Sequence, residues 1–317
     1  CFDDVDIAFC WHPGDMNCVW GISTLANLSV YFKFKGKTAH AAAAPYLGRS
    51  ALDAVELMNV GVNYLREHII PDARVHYAIT NPGGSAPNVV QDEAEVYYYI
   101  RSPKVYQAQE IYDRVCDVAK GAALMTGTKC EIIFREGLSD YIPNKVLGEV
   151  LYKNLIKIGA PNFNEDDLEL ASKFRDTLNE SDIKNILMQI NLFQGTEVAK
   201  KMESKILSNI IGPYIHIEKA MPGSTDVGDV SYVVPTGQIV VACNALGTQA
   251  HTWQFTAQSA SSIGYKGMLT AGKAIGMAAV DVLFNPEIIK DARMELKQKT
   301  NGEYICPIPN HIKPRVQ

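Results

Sequence analysis

Two histidines follow apolar runs that read as buried strands. His12 lies in Cys10-Trp-His-Pro-Gly14, just past the run 5–10, and His251 lies in Gly247-Thr-Gln-Ala-His-Thr-Trp-Gln-Phe255, shortly after the run 238–243. Loops that leave the strands of an open α/β sheet are where ligands and metals gather. Imidazole is the commonest metal ligand, so His12 and His251 are candidate metal ligands. The competing reading for each alone is a satisfied loop histidine. Cys10 shares a side of the strand with His12, but it belongs to the buried run and reads as an inert core thiol. A third histidine, His40, stands in Gly36-Lys-Thr-Ala-His-Ala-Ala-Ala-Ala-Pro45. The alanines there leave room for a neighbouring chain or ligand to approach the imidazole; a small-residue turn is the plain alternative. His68, His76, His216 and His311 lack such surroundings and are given no role.

Other polar residues suit substrate binding. Asn88, in Ser85-Ala-Pro-Asn-Val-Val90, and Arg101, ending Tyr97-Tyr-Tyr-Ile-Arg, are expected near one another on consecutive strands or their edge. An amide beside the bidentate fork of a guanidinium suits a carboxylate, against the alternative of a surface arginine. Ser224 and Thr225 fall in Gly223-Ser-Thr-Asp-Val-Gly-Asp229, a loop that presents backbone N–H groups to an anion or is a turn with capping hydroxyls.

The elements that must position these residues follow from periodicity. Leu28, Val30, Phe32 and Phe34 alternate with Ser29, Tyr31, Lys33 and Lys35, the pattern of a half-solvated antiparallel strand. Ala51, Val55, Met58, Val62 and Leu65 recur at helical spacing, Val75, Tyr77 and Ile79 alternate, and Asn81-Pro-Gly-Gly84 turns the chain. Val96, Tyr98 and Ile100 give the next strand, residues 111–125 a second helix, and Cys130, Ile132 and Phe134 a last strand. This βαββαβ order predicts a ferredoxin-like α+β unit with both helices on one face of the sheet. It is expected over 25–137, inserted into a larger α/β domain made of 1–24 and 138–317. In that domain an amphipathic helix runs from Asn144 to Ile158, charged surface helices occupy 165–205, and a long Ala/Gly-rich helix ends at Asn285-Pro286.

Composition narrows the classes. With 317 residues, 47% hydrophobic and 21% charged, the chain reads as a folded two-domain protein. A net charge of −5 without a basic block argues against nucleic acid as a partner. No apolar run of 18 or more residues and no signal peptide are visible, so a cytoplasmic enzyme without membrane contact is expected. Seven cysteines without a CxxC pair read as reduced thiols. A first residue Cys1, leading straight into a strand, suggests a fragment or processed chain.

The segments 36–45, 85–90, 223–231 and 251–255 resemble, in order and spacing, the dinuclear metallopeptidases related to aminoacylases, hippurate hydrolases, auxin-conjugate amidohydrolases and succinyl-diaminopimelate desuccinylase. The resemblance implies a catalytic α/β domain holding two divalent metal ions, zinc or manganese, and an inserted ferredoxin-like lid that also makes a homodimer or meets a related subunit. On that basis His12 and His251 match metal ligands. His40 matches the lid histidine that stabilises the oxyanion in the partner subunit's site. Asn88 and Arg101 match lid positions that hold substrate, and Ser224 and Thr225 a substrate-contacting loop. The implied chemistry is attack of a metal-bound water on an amide carbonyl, with a carboxylate relaying the proton. The implied substrate is an N-acyl amino acid. The nearest match is p-aminobenzoyl-glutamate, cleaved to p-aminobenzoate and glutamate; another N-acyl amino acid or a small peptide is the alternative. The family's first ligands, in a His-Ala-Cys-Gly-His-Asp-like segment, and its Glu-Glu pair both precede the strand that begins here at Val5. Neither segment occurs in this chain. The resemblance therefore implies an incomplete catalytic domain, weak or absent metal binding by this chain alone, and no nameable general base. A non-enzymatic dimerising or binding module is the rival from another class.

Overall fold

Two periodicities, of 2 residues for strands and about 3.6 for helices, account for most elements. In the computed structural model, which describes residues 2 and 4–312, the chain opens with β1 (Ala8–Gly14), β2 (Cys18–Val19) and β3 (Ile22–Thr24). It continues through β4 (Ala26–Lys35), α1 (Ala51–Leu65), β5 (Arg74–Asn81), β6 (Glu93–Ser102), α2 (Val105–Thr126) and β7 (Lys129–Leu138). Next come α3 (Lys145–Ile158), α4 (Glu165–Arg175), α5 (Glu180–Gln194), α6 (Thr196–Met202), β8 (Ile217–Met221), α7 (Val227–Val233) and β9 (Thr236–Ala242). The last elements are α8 (Trp253–Ser259), α9 (Ser262–Phe284) and α10 (Glu287–Thr300).

The chain divides into two bodies, one of residues 1–23, 142–219 and 230–304, the other of 24–141, 220–229 and 305 onward. Against an expected 25–137, the second body runs four residues further and takes in two distant stretches. Backbone fit explains both. The Leu25 N–H donates to the Gly223 carbonyl at 2.7 Å. A Cβ on Gly228 would lie 2.0 Å from the Ser139 carbonyl, and one on Gly137 3.0 Å from that of Pro307. Such long-range approaches leave no periodic signal in sequence.

In this second body the strands lie in the order β5-β6-β4-β7, all neighbours antiparallel. Val30, Phe32, Phe34, Val96, Tyr98 and Ile100 are buried in one cluster with Val55, Met58 and Val62 of α1 and Ile111, Val115 and Ala119 of α2. Both helices therefore cover the same face. Ser50 caps α1 by accepting the Asp53 N–H at 3.0 Å, and Gly127, at φ 65°, ends α2 in the left-handed conformation that glycine adopts without strain.

The other body is built on the sheet β1-β9-β2, in which β1 and β9 are parallel and β2 is antiparallel to β9. Ile239 and Val241 are buried with Leu151 and Leu155 of α3 and Ala271, Ala274 and Ala278 of α9. Strand β1 corrects the sequence reading: it spans 8–14, not 5–10, so His12 sits inside it, in register with Val240. Pairing with β9 carries β1 past Pro13, whose missing N–H an edge strand tolerates. Cys10 is only half-buried. By length and composition α9 also qualifies as long and apolar enough to cross a membrane. Lys266, Lys273 and Asp281 interrupt its sequence, and its Ala271, Ala274 and Ala278 pack in this core.

Candidate functional site

His12 and His251 both belong to the first body, near the carboxyl ends of parallel neighbours. Strands β1 and β9 end together, with Gly14 in register with Ala242. His12 reaches this end on β1, and His251 stands in the loop that leaves β9. The His12 ring packs against Trp20, centroids 5.0 Å apart, and its Nδ1 is buried without a hydrogen-bond partner. Gln238 is in register with Cys10, on the His12 side of the sheet, and is fully buried. Both of its amide atoms, and Trp20 Nε1, are likewise buried and unpartnered. Each such atom costs about 1–3 kcal/mol, and on this face several stand together. Trp11 and Pro13 alternate with His12 and line a cavity of about 190 Å³ with Cys243 and Phe255, on the opposite side of β1.

The His251 loop is held by residues that the sequence reading passed over. His251 is exposed and has φ 62°, a left-handed backbone unusual outside glycine. Thr252, next to it, caps α8 by accepting the Phe255 N–H at 3.3 Å. Gln258 accepts the Ala245 N–H at 2.7 Å and donates to the Thr248 hydroxyl at 3.2 Å. Asp15, from the turn after β1, accepts the Gly247 N–H at 3.0 Å. The only sequence signal for Asp15 is a carboxylate between two apolar strands.

Burial pushes the Asp15 carboxyl up to about 6, partly offset by its backbone hydrogen bonds. A raised carboxyl pKa means that the folded state holds the proton more tightly than the unfolded chain. Stability should therefore fall as pH rises from about 4 to about 6 and level off above, by on the order of 3 kcal/mol. Asp15→Asn, which keeps an acceptor for Gly247, should remove this slope. Urea titrations of both proteins between pH 4 and pH 7 check it, and parallel pH profiles would contradict the assignment.

His40 and Asn88 meet in the second body. Their segments form a short ribbon, with His40 bridged to Val89 and the Ala41 N–H donating to the Asn88 carbonyl at 2.9 Å. His40 Nδ1 accepts the N–H groups of Ala42 at 3.2 Å and Ala43 at 3.1 Å. A ring nitrogen that accepts carries no proton, so the neutral ring bears its hydrogen on Nε2 as a free donor. His40 and Asn88 are both exposed. The alanines thus supply backbone donors as well as space.

Arg101 is elsewhere, which overturns its expected nearness to Asn88. Asn88 lies in the loop that joins β5 to β6, beside the Glu93 end of β6, whereas Arg101 sits near the strand's other end, in register with Asn27 and Arg74. Eight residues of strand separate Glu93 from Arg101, roughly 25 Å. Within one chain the two cannot grip one small carboxylate. The Ser224–Thr225 loop lies at the Arg101 end, because Gly223 accepts from Leu25, two residues before Asn27. Ser224 Oγ is buried and unpartnered. Thr225 Oγ1 accepts the Val227 N–H at 3.3 Å, the capping role of the plainer reading. Ser139 secures the loop by donating its N–H and hydroxyl to the Asp229 carboxylate at 3.1 and 2.5 Å.

Residues 23–124 match the peptidase dimerisation domain. The chain is 44% identical to a p-aminobenzoyl-glutamate hydrolase subunit of Escherichia coli over 317 residues, 99% of this chain and 66% of that protein. It is 31% identical to the Xaa-Arg dipeptidase of Mus musculus, covering 96% of this chain and 59% of the relative. The chain thus spans somewhat under two thirds of the length of these curated relatives. An aminohydrolase of methicillin-resistant Staphylococcus aureus shares the fold at a TM-score of 0.53 with 14% identity, over 88% of this chain and 59% of that one. Residues 23–124 are thus a member of the peptidase dimerisation domain family.

Proposed function

We propose that the protein is a metal-dependent amidohydrolase that cleaves an N-acyl amino acid, with p-aminobenzoyl-glutamate giving p-aminobenzoate and glutamate. The observation that carries this reading is 44% identity, across nearly the whole chain, to a p-aminobenzoyl-glutamate hydrolase subunit. The dipeptidase relatives favour a small peptide as the second reading. In this proposal His40 and Asn88 serve the active site of a partner subunit, either a second copy or a related subunit. The roughly 25 Å of strand between Glu93, at their end of β6, and Arg101 supports this, because both ends of the sheet can touch substrate only if they touch different molecules of it.

His12 and His251 are proposed as two ligands of a divalent zinc or manganese site. Among the described residues no group of three or more His, Cys, Asp and Glu side chains is placed to hold a metal ion. A catalytic ion takes three or more protein ligands, so the described side chains do not complete the site, and no step is routed through it. Tag-free chain dialysed against zinc or manganese should retain well under one ion per chain by elemental analysis; tight stoichiometric zinc would overturn the ligand count. The full-length gene product, supplied with manganese or zinc, should release p-aminobenzoate from p-aminobenzoyl-glutamate. No release with either metal would sink the proposed activity.

A further inference from the structure

Two mostly exposed segments of the second body, 38–48 and 82–90, contain no Lys, Arg, Asp or Glu, although 21% of the chain is charged. They supply the ribbon around His40. His40 is bridged antiparallel to Val89, and the Val90 N–H donates to the Ala39 carbonyl at 3.0 Å. Residues opposed in an antiparallel bridge project to the same face, with Cβ atoms about 4.5–5.5 Å apart. The Val89 side chain therefore stands beside the His40 imidazole.

The turn that follows His40 adds to this surface. Pro45 opens a 3₁₀ turn, Pro45–Leu47. The Ala44 N–H donates back to the His40 carbonyl at 3.0 Å and the Leu47 N–H to the Ala44 carbonyl at 3.1 Å, which folds the turn onto the ribbon. Arg49 fixes it by donating to the carbonyls of Tyr46 at 3.3 Å and Gly48 at 2.6 Å. Gly48 lies so close to the ribbon that a Cβ there would be 2.9 Å from the Val90 side chain. The backbone is tied down while the apolar side chains stay bare: Tyr46 is 75% exposed, Leu47 50% and Val89 45%. Adjacent bare apolar groups on a held backbone mark a surface that another molecule covers.

Chemistry decides which part of a substrate this surface meets. The His40 donor addresses the scissile carbonyl oxygen, so side chains next to it flank the substituents of that carbonyl. On the amine side an N-acyl amino acid carries a carboxylate, which an uncharged apolar surface would strip of water without offering a partner. On the acyl side an apolar group gains by burial against the same surface. A donor to an oxyanion is also strongest where water is excluded.

We infer that Tyr46, Leu47 and Val89 form a collar that enters the partner subunit's site together with His40, excludes water from the carbonyl and selects an aryl acyl group, which Tyr46 takes by ring stacking. The inference rests on the amidohydrolase reading and on the proposed service of His40 in a partner's site. It adds the residues that set acyl specificity.

The test compares kcat/KM of the full-length gene product, supplied with manganese or zinc, on p-aminobenzoyl-glutamate and N-acetyl-glutamate. Tyr46→Leu, which stays apolar but loses the ring, should lower the value for the aryl substrate about tenfold and that for the acetyl substrate less than about twofold. Tyr46→Phe should keep the parent's ratio; a merely structural role would move both substrates together. Circular dichroism verifies that each variant is folded. A mixed dimer of a Tyr46→Leu chain and a His251→Ala chain reads the placement. Its one working site uses the metal ligands of the first chain and the intact collar of the second, so the parent's ratio should return. A ratio indifferent to Tyr46→Leu, an equal fall for both substrates, or a mixed dimer with the altered ratio would each overturn the collar and leave the reaction standing. Hydrolysis of neither substrate by the parent would overturn the amidohydrolase reading itself, and the collar with it.

Discussion

Replacement of His40 by alanine is expected to lower kcat of the full-length gene product by on the order of 100-fold or more, with a much smaller change in KM. The asymmetry follows from when the donor acts. An Nε2–H aimed at a carbonyl oxygen gains most when that oxygen becomes an oxyanion, so its loss falls on the transition state. The amides of Ala42 and Ala43 hold the tautomer that makes this donor available. If His40 serves a partner's site, a mixed dimer gives a second reading. A His40→Ala chain combined with a His251→Ala chain leaves only one site with both parts intact, so at most about half of normal activity should return. An unchanged kcat in His40→Ala, or full activity as a monomer, would return His40 to the role of a loop residue.

Phe32→Ala should destabilise the second body by about 3–5 kcal/mol, the range for emptying a buried aromatic position. Phe32 has no exposed surface and meets Tyr98 edge-on, with centroids 5.6 Å apart at 89°. It sits on β4, an inner strand hydrogen-bonded on both sides, so the sheet cannot easily close around the void. Tyr98 has its own constraint, a 2.5 Å hydrogen bond from its hydroxyl to Asn59 on α1. Lys33→Ala, on the opposite face and in a partly exposed ion pair with Glu93, should change stability far less than Phe32→Ala. Urea unfolding followed by far-UV circular dichroism compares the two, and a loss below about 1 kcal/mol at Phe32 would mean that the helices do not pack as described.

The strands and helices of the second body were legible residue by residue, because alternation and helical stripes are local signals that burial on one face imposes on the chain. Leu28 to Phe34 predicts a strand with its inner face known, and Asn144 announces α3 by its cap, accepting the Leu147 N–H at 3.0 Å. The alanines around His40 marked a stretch of little side-chain bulk, open to either an approaching group or a plain turn.

What periodicity does not encode is partnership at a distance. Whether β1 stopped at Cys10 or ran on to Gly14 depended on the ladder offered by β9, more than 220 residues later. Asn88 and Arg101 looked like neighbours because their strands follow one another. Antiparallel pairing instead put the connecting loop at one end of β6 and the arginine near the other. Asp15 and Gln258 gained their roles only when burial brought them to the loop after β9. The sequence by itself determined which faces are apolar and which residue types stand in the loops, since those are properties of consecutive residues. The tertiary structure alone decided which polar groups meet and which buried ones are left waiting for a partner, because hydrogen-bond satisfaction is settled between segments far apart in the chain.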